Sequence, residues 1–312
     1  MSSPVTVGVD LGGTKMVGGL VSPDGAFSNE IFRPRPATHH AMLEEPLALI
    51  DALLTPEVAA IGLGVAGLID ANGRLAWGPN IAGTDLAVRE LTEAAFGLPV
   101  IVDNDANFWA LAEATLGAAA GHDHAVIVTL GTGIGGGLIA DGRVYRGGGH
   151  AGEFGHMVVA PGGDVCTCGN RGCWETLVSG RRLDTLAREI VRQDSGGLVA
   201  IEAGGESPTG RHLLGPALSG DRAAMAAYID VGEALGRGLA TLAVILDPQI
   251  IVIGGAVAEA GELLLSPARQ AFHDRFEGAP HRPIPTIVTR HLGANGGAIG
   301  AGLAAHRLVT GT

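Results

Sequence analysis

Positive charge is scarce in this chain. Twenty lysines and arginines face 32 aspartates and glutamates, leaving a net charge of −12 over 312 residues. That deficit argues against a nucleic-acid backbone or an anionic membrane as partner. Long apolar runs are also missing: a stretch such as Leu239 to Leu246 is too short to span a bilayer. The opening MSSPVTVGVD has neither a basic n-region nor an apolar h-region, so no signal peptide is expected and a cytoplasmic, soluble protein is. Cysteine is limited to three residues, and an odd count in a long chain argues against a disulfide framework. Charged residues make up only 17% against 46% hydrophobic ones, which is a globular and not a disordered composition. The length exceeds one ordinary core and fits two packed domains. Glycine, by contrast, is plentiful at 51 residues and has no collagen period.

All three cysteines fall in one Gly-rich stretch, His150 to Glu175, reading HAGEFGHMVVAPGGDVCTCGNRGCWE. Cys166, Cys168 and Cys173 follow a Glu153-x-x-His156 pair. Three thiolates and one imidazole suit a closed tetrahedral Zn²⁺ site, because soft sulfur and borderline nitrogen match that ion. The competing reading is three unrelated thiols buried as small hydrophobes, and their clustering in a polar loop argues against it.

A second signal is an internal repeat. Residues 7–25, VGVDLGGTKMVGGLVSPDG, and 126–142, VIVTLGTGIGGGLIADG, align when Gly12 is set on Gly131. Each gives a β-branched strand, a Gly/Thr turn and a second Gly-rich strand ending in Asp-Gly. Two such hairpins predict a duplicated α/β half, unless the likeness is a coincidence of Gly-rich strands. Between and after them strands and helices alternate. Helices are predicted over 43–54, 86–96, 106–116, 181–193, 225–246 and 296–308. Strands are predicted over 59–65, 100–102, 249–253 and 286–289. Residues 196–220 read as turn-rich and mobile, and a domain break is expected near Gly117 to Gly121.

Asp10-Leu11-Gly12-Gly13-Thr14-Lys15 and Gly131-Thr132-Gly133 each follow a strand and turn back. Glycines there let backbone N–H groups approach phosphate, and Thr14 adds a hydroxyl. Neither is a Walker A loop, since no helix opens after the glycines. One such turn alone reads as a plain hairpin; two together read as a pair of phosphate clamps.

With the turns, Glu153-Phe154-Gly155-His156, and Cys166-Thr167-Cys168-Gly169-Asn170-Arg171-Gly172-Cys173-Trp174-Glu175, the chain resembles the ROK family of sugar kinases and sugar-responsive repressors. Within that family it is most similar to bacterial glucokinases. The resemblance implies an α/β fold of the duplicated actin/hexokinase-like (ribonuclease H-like) type, two domains with an inter-domain cleft. The smaller domain would be residues 1–118, joined by the C-terminal helix at about 297–312, and the larger 119–296, carrying the zinc loop 156–173. It further implies ATP with Mg²⁺, glucose as acceptor, and a homodimer or homotetramer.

Roles follow residue by residue. Asp105 is the expected general base for the sugar hydroxyl; the alternative is an N-cap for the following helix. Asn80, Asn104, Asp105, Glu153, His156 and Glu175 are the expected sugar contacts, though Glu153 and Glu175 alone would read as solvated loop charges. His156 would bind zinc through one ring nitrogen and donate to a sugar oxygen through the other. Gly12, Gly13, Thr14, Gly131, Thr132 and Gly133 would hold phosphates, and Gly254-Gly255 would leave room for the nucleoside. Lys15 reads equally as a phosphate partner or a solvated hairpin lysine. Asp10 would hold Mg²⁺, or be a plain strand-end acid. Ala66 departs from the family, which has proline there before the glycine, and a change of backbone stiffness is expected. The open alternatives are another hexose (fructose, mannose, N-acetylmannosamine or N-acetylglucosamine), polyphosphate as donor, and a sugar-sensing regulator. The cysteine cluster favours ATP over polyphosphate. The regulator reading needs a helix-turn-helix ahead of a first strand that here starts at residue 5.

Overall fold

The computed structural model describes residues 4–36, 41–78, 85–278 and 280–311. The first half runs β1 (Val5–Leu11), β2 (Lys15–Val21), β3 (Phe27–Pro34), α1 (Ala41–Asp51), β4 (Val58–Val65), β5 (Leu68–Ile69), β6 (Leu75–Trp77), α2 (Val88–Phe96), β7 (Val100–Asn104) and α3 (Asp105–Thr115). The second runs β8 (Ala125–Leu130), β9 (Ile134–Ala140), β10 (Arg143–Val144), α4 (Gly180–Gln193), α5 (Leu198–Ala203), α6 (Arg211–Leu218), α7 (Arg222–Leu246), β11 (Ile250–Gly254), α8 (Glu262–His273), β12 (Thr286–Thr289) and α9 (Gly296–Thr310). Two compact units result. One comprises Met1–Ile127, Gly136–Gly152 and Arg290–Thr312; the other comprises Val128–Gly135 and Glu153–Thr289.

The repeat seen in the two hairpins extends to whole sheets. One five-stranded sheet has the order β3-β2-β1-β4-β7 and the other β10-β9-β8-β11-β12. In the first, β2 is antiparallel to both β1 and β3, while β1, β4 and β7 are mutually parallel. In the second, β9 and β10 are antiparallel and β11 and β12 parallel. The sequence explains each position. β1 buries both faces, with Val7 and Val9 wholly inside, as a central strand must. β3 carries Ser28, Asn29 and Glu30 exposed and sits on the edge.

Helix α9 is built of small residues because it lies almost on the backbone of the sheet. A Cβ at Gly8 would fall 2.0 Å from the Ala298 carbonyl oxygen, and one at Gly62 would fall 1.9 Å from that of Ala301. No side chain fits between backbones that close. The buried Glu113 carboxylate, at the end of α3, accepts N–H groups from Ala118, His291 and Leu292 at 2.7, 3.2 and 3.0 Å. It thereby ties the segment leading into α9 to α3.

The expectation of a turn-rich stretch over 196–220 is overturned. It forms α5 and α6, with Val199 and Leu213 buried. Tertiary burial of those apolar side chains outweighs the helix-breaking glycines between them. Helix α8 was also not expected; Pro267 in its middle obscures its period. Helix α3 begins one residue earlier than predicted, at Asp105.

Candidate active site and metal centre

In the first unit the parallel register sets Asp10 beside Gly64 and Gly64 beside Asp103. The carboxyl ends of β1, β4 and β7 therefore share one edge, where open α/β sheets present their functional groups. Gly64 has no side chain, and a Cβ there would meet the Asp105 Cα at 3.4 Å. The three polar residues after Val102 divide the work. Asp103 is buried and accepts from Asn107 Nδ2 at 2.8 Å, Arg146 Nε at 2.6 Å and the Asn104 N–H at 2.7 Å. Asn104 is the N-cap of α3: its Oδ1 accepts the Ala106 N–H at 2.8 Å while its Nδ2 donates to Gly67 O at 3.0 Å. Asp105 opens the helix, and its Oδ1 also receives the Ala106 N–H, at 3.0 Å. The cap that Asp105 was alternatively expected to supply is thus Asn104's.

Asp10 stands apart electrostatically. Its Oδ1 is buried and has no hydrogen-bond partner among the described residues. Burial first, and then the charge of Asp105, push its carboxyl up to about 8, with Lys15 opposing. Two neighbouring carboxylates with one orphaned buried oxygen form a donor set suited to a hard divalent cation. The adjoining turn is tight, its Gly12 N–H bonded to Lys15 O at 3.0 Å. Its Gly13 faces open space where a side chain would be. The Lys15 ammonium lies 6.0 Å from the centre of the Phe32 ring. The Ala66 N–H donates to Leu11 O at 3.0 Å, a bond that a proline could not make. One residue at this turn went unnoticed in the sequence. Arg35 donates from Nη1 to Gly13 O at 3.1 Å, and it belongs to no motif that would have marked it.

In the second unit His156, Cys166, Cys168 and Cys173 present one donor atom each, all within 4.8 Å of one another. Cys168 and Cys173 sulfurs are 3.6 Å apart, and Cys166 Sγ is 3.6 Å from His156 Nδ1. Thiolates on tetrahedral zinc lie about 3.8 Å apart, from Zn–S bonds near 2.3 Å, so the four donors fit that ion. Burial pushes the Cys166 thiol up to about 12, so a thiolate here calls for a cation. Tight backbone turns hold the loop. Cys166 N–H donates to Asn170 O at 2.8 Å, and Gly172, at φ 72°, passes so close to Ala160 that a Cβ would strike its carbonyl oxygen. Trp174, wholly buried, donates its indole N–H to Ala234 O on α7 at 2.9 Å and anchors the loop's end.

Three of the expected sugar contacts, Glu153, His156 and Glu175, lie in and beside this loop. With Nδ1 toward the sulfurs, His156 Nε2 faces Glu153 Oε2 at 3.9 Å. Glu175 accepts from Cys166 Sγ at 3.0 Å and from the Ile134 N–H at 3.4 Å, so it links the loop to the Gly131-Thr132-Gly133 turn. A cavity of about 170 Å³ opens beside that turn, lined by Thr132, Cys166, Thr167, Glu175, Arg181 and Arg182 among others. Gly131 has open space at its Cβ position, whereas Gly255, at φ 86°, is glycine because the Leu130 backbone passes 2.2 Å from where a Cβ would be. On that side of Gly255 the space is filled by the end of β8. Asn80 lies outside the described residues.

Comparison with known proteins agrees with this geometry. The ROK family model matches residues 6–307. A glucokinase of Streptomyces coelicolor is 34% identical over 304 residues, 95% of this chain and 96% of its own. A glucokinase of Thermotoga maritima is 36% identical over 278 residues, 86% of this chain and 87% of its own. The crystal structure of a ROK family glucokinase from Streptomyces griseus, in complex with glucose and AMPPNP, superposes with a TM-score of 0.89 at 35% identity. That superposition covers 97% of this chain and 99% of the other. With the duplicated sheets, the carboxylate edge and the Cys₃His cluster, these matches make the chain a member of the ROK family with its actin/hexokinase-like fold.

Proposed function

We propose that this ATP-dependent hexose kinase is a glucokinase, transferring the γ-phosphoryl group of ATP to glucose to give the 6-phosphate. The observation that carries the reading is the pair Asp10 and Asp105 at one sheet edge, next to a glycine turn. A sugar hydroxyl is a weak nucleophile, and a carboxylate hydrogen-bonded to it takes the proton as the new P–O bond forms. Asp105 is that base. Its neighbour Asn104, rigid between Gly67 and Ala106, offers an amide to a sugar oxygen. Glu153, His156 and Glu175 accept and donate to the remaining hydroxyls, a carboxylate taking two each, and Asn80 adds to them. Gly12, Gly13, Thr14, Lys15, Gly131, Thr132 and Gly133 hold phosphate groups, with Gly254 and Gly255 on the nucleoside side. Asp10 would hold the magnesium that accompanies ATP, an ion that neutralises charge on the phosphate oxygens. Zinc on His156, Cys166, Cys168 and Cys173 would be structural, with no position left for water. The protein would act in the cytoplasm as a homodimer or homotetramer.

A coupled kinase assay decides the substrate. Glucose with ATP should give the highest kcat/KM among glucose, fructose, mannose, N-acetylmannosamine and N-acetylglucosamine. A tenfold preference for another hexose, or for polyphosphate as donor, would overturn the assignment.

A further inference from the structure

The turn between β1 and β2 carries a cation from outside its own motif. Arg35 follows the end of β3, and two hydrogen bonds fix it to the turn: its N–H on Thr14 O at 3.2 Å and its Nη1 on Gly13 O at 3.1 Å. The side chain is half-buried. Burial draws protons off the guanidinium and the charge of Asp105 holds them on, which puts that carboxylate within electrostatic reach. An arginine remains charged in such surroundings. Asp105 is an anion within its reach, and the open side of Gly13 is where a phosphate would approach. The Asp105 carboxylate would repel that phosphate, and positive charge on the turn itself offsets the repulsion. Lys15 acts on Asp10 and lies 6.0 Å from the centre of the Phe32 ring, while Arg35 is a turn-bound cation within electrostatic reach of Asp105.

We propose that Arg35 is a further catalytic residue of the transfer, its guanidinium contacting the transferred phosphoryl group and offsetting the charge that grows on its oxygens. The inference rests on the kinase reading above. In the step, the sugar oxygen bonds to phosphorus and the bond from phosphorus to the bridging oxygen breaks. ADP leaves with that electron pair, and the hydroxyl proton goes to Asp105. Arg35 gives up no proton and acts by charge alone. The competing role is a structural tie between the end of β3 and the turn.

Three variants separate these roles. Arg35→Gln keeps an amide donor for Gly13 O and removes the charge, Arg35→Lys keeps the charge, and Arg35→Ala leaves a gap that free guanidinium ion can fill. Arg35→Gln should lower kcat about 10²-fold, the scale for losing one charge-stabilising donor. Its melting temperature should stay within about 2 °C of the parent, and glucose affinity by calorimetry should not change. Arg35→Lys should recover at least tenfold of the loss, and millimolar guanidinium should accelerate Arg35→Ala. A kcat of Arg35→Gln within threefold of the parent would overturn the proposal. So would a loss that neither lysine nor guanidinium restores. Asp105→Asn assayed alongside keeps the two readings apart: full activity there, with loss in Arg35→Gln, would remove the base and retain the arginine.

Discussion

The four Cys and His donors of the second unit come from one loop, His156 to Cys173, whereas in the first Asp10 lies near the end of β1 and Asp105 opens α3 directly after β7. The loop has little core of its own: Val158 and Val165 are exposed, and it depends on Trp174 and on turns such as Cys166 to Asn170. Its order should come from the metal, because binding free energy at such a site is folding free energy. The carboxylate edge needs no metal for its shape. Its residues are registered by β1, β4 and β7, whose apolar side chains form one buried cluster. One region would thus be stapled by its metal and locally fragile without it; the other is held by the whole sheet, so a point change there alters chemistry before it alters structure.

The largest effect tests the edge. Asp105→Asn should lower kcat by at least ~10²-fold, the scale for losing acid–base catalysis. Its thermal melt should hardly move, since Asn104 keeps capping α3. A kcat within threefold of the parent would remove Asp105 from the mechanism.

The next tests the staple. The protein should contain one zinc per chain by elemental analysis, and Cys168→Ala should lose it. Glucose affinity should then fall about tenfold or more as the loop presenting Glu153, His156 and Glu175 disorders. Nucleotide affinity without sugar should change little. A zinc-free variant with unchanged KM for glucose would reduce the cysteines to a distant brace.

The smallest sharpens the electrostatics. In the metal-free protein the Asp10 carboxyl titrates near 8 when folded, against 3.8 for the free group. The folded state therefore binds the proton more tightly, and its contribution to stability is present below about 4 and is lost as pH rises through about 8. Asp10→Asn should raise the melting temperature at pH 8 and leave it unchanged near pH 4. An equal gain at both values would mean that burial of the ionised carboxylate is not the cause.

The Cys₃His cluster was legible because residue type and spacing fall within one short segment, and the duplicated fold because each half opens with the same hairpin. Asp10 and Asp105 could be singled out by motif, but their proximity depends on strand register, which no local pattern states. Arg35 escaped because it reaches the turn through Gly13 and Thr14 carbonyls, contacts that carry no sequence signature. Helices α5 and α6 escaped because burial of Val199 and Leu213, a tertiary fact, decides against the glycines around them. At Gly255 the Leu130 backbone also demands a glycine, a neighbour that strand order supplies and the Gly-Gly pattern does not name.

Glucose titrated calorimetrically into Asp105→Asn and Cys168→Ala, side by side, tests the division between the two regions most directly. Asp105→Asn should bind glucose within about threefold of the parent while failing to turn it over, and Cys168→Ala should bind it at least about tenfold more weakly. Weak binding by Asp105→Asn together with parental binding by Cys168→Ala would contradict that division.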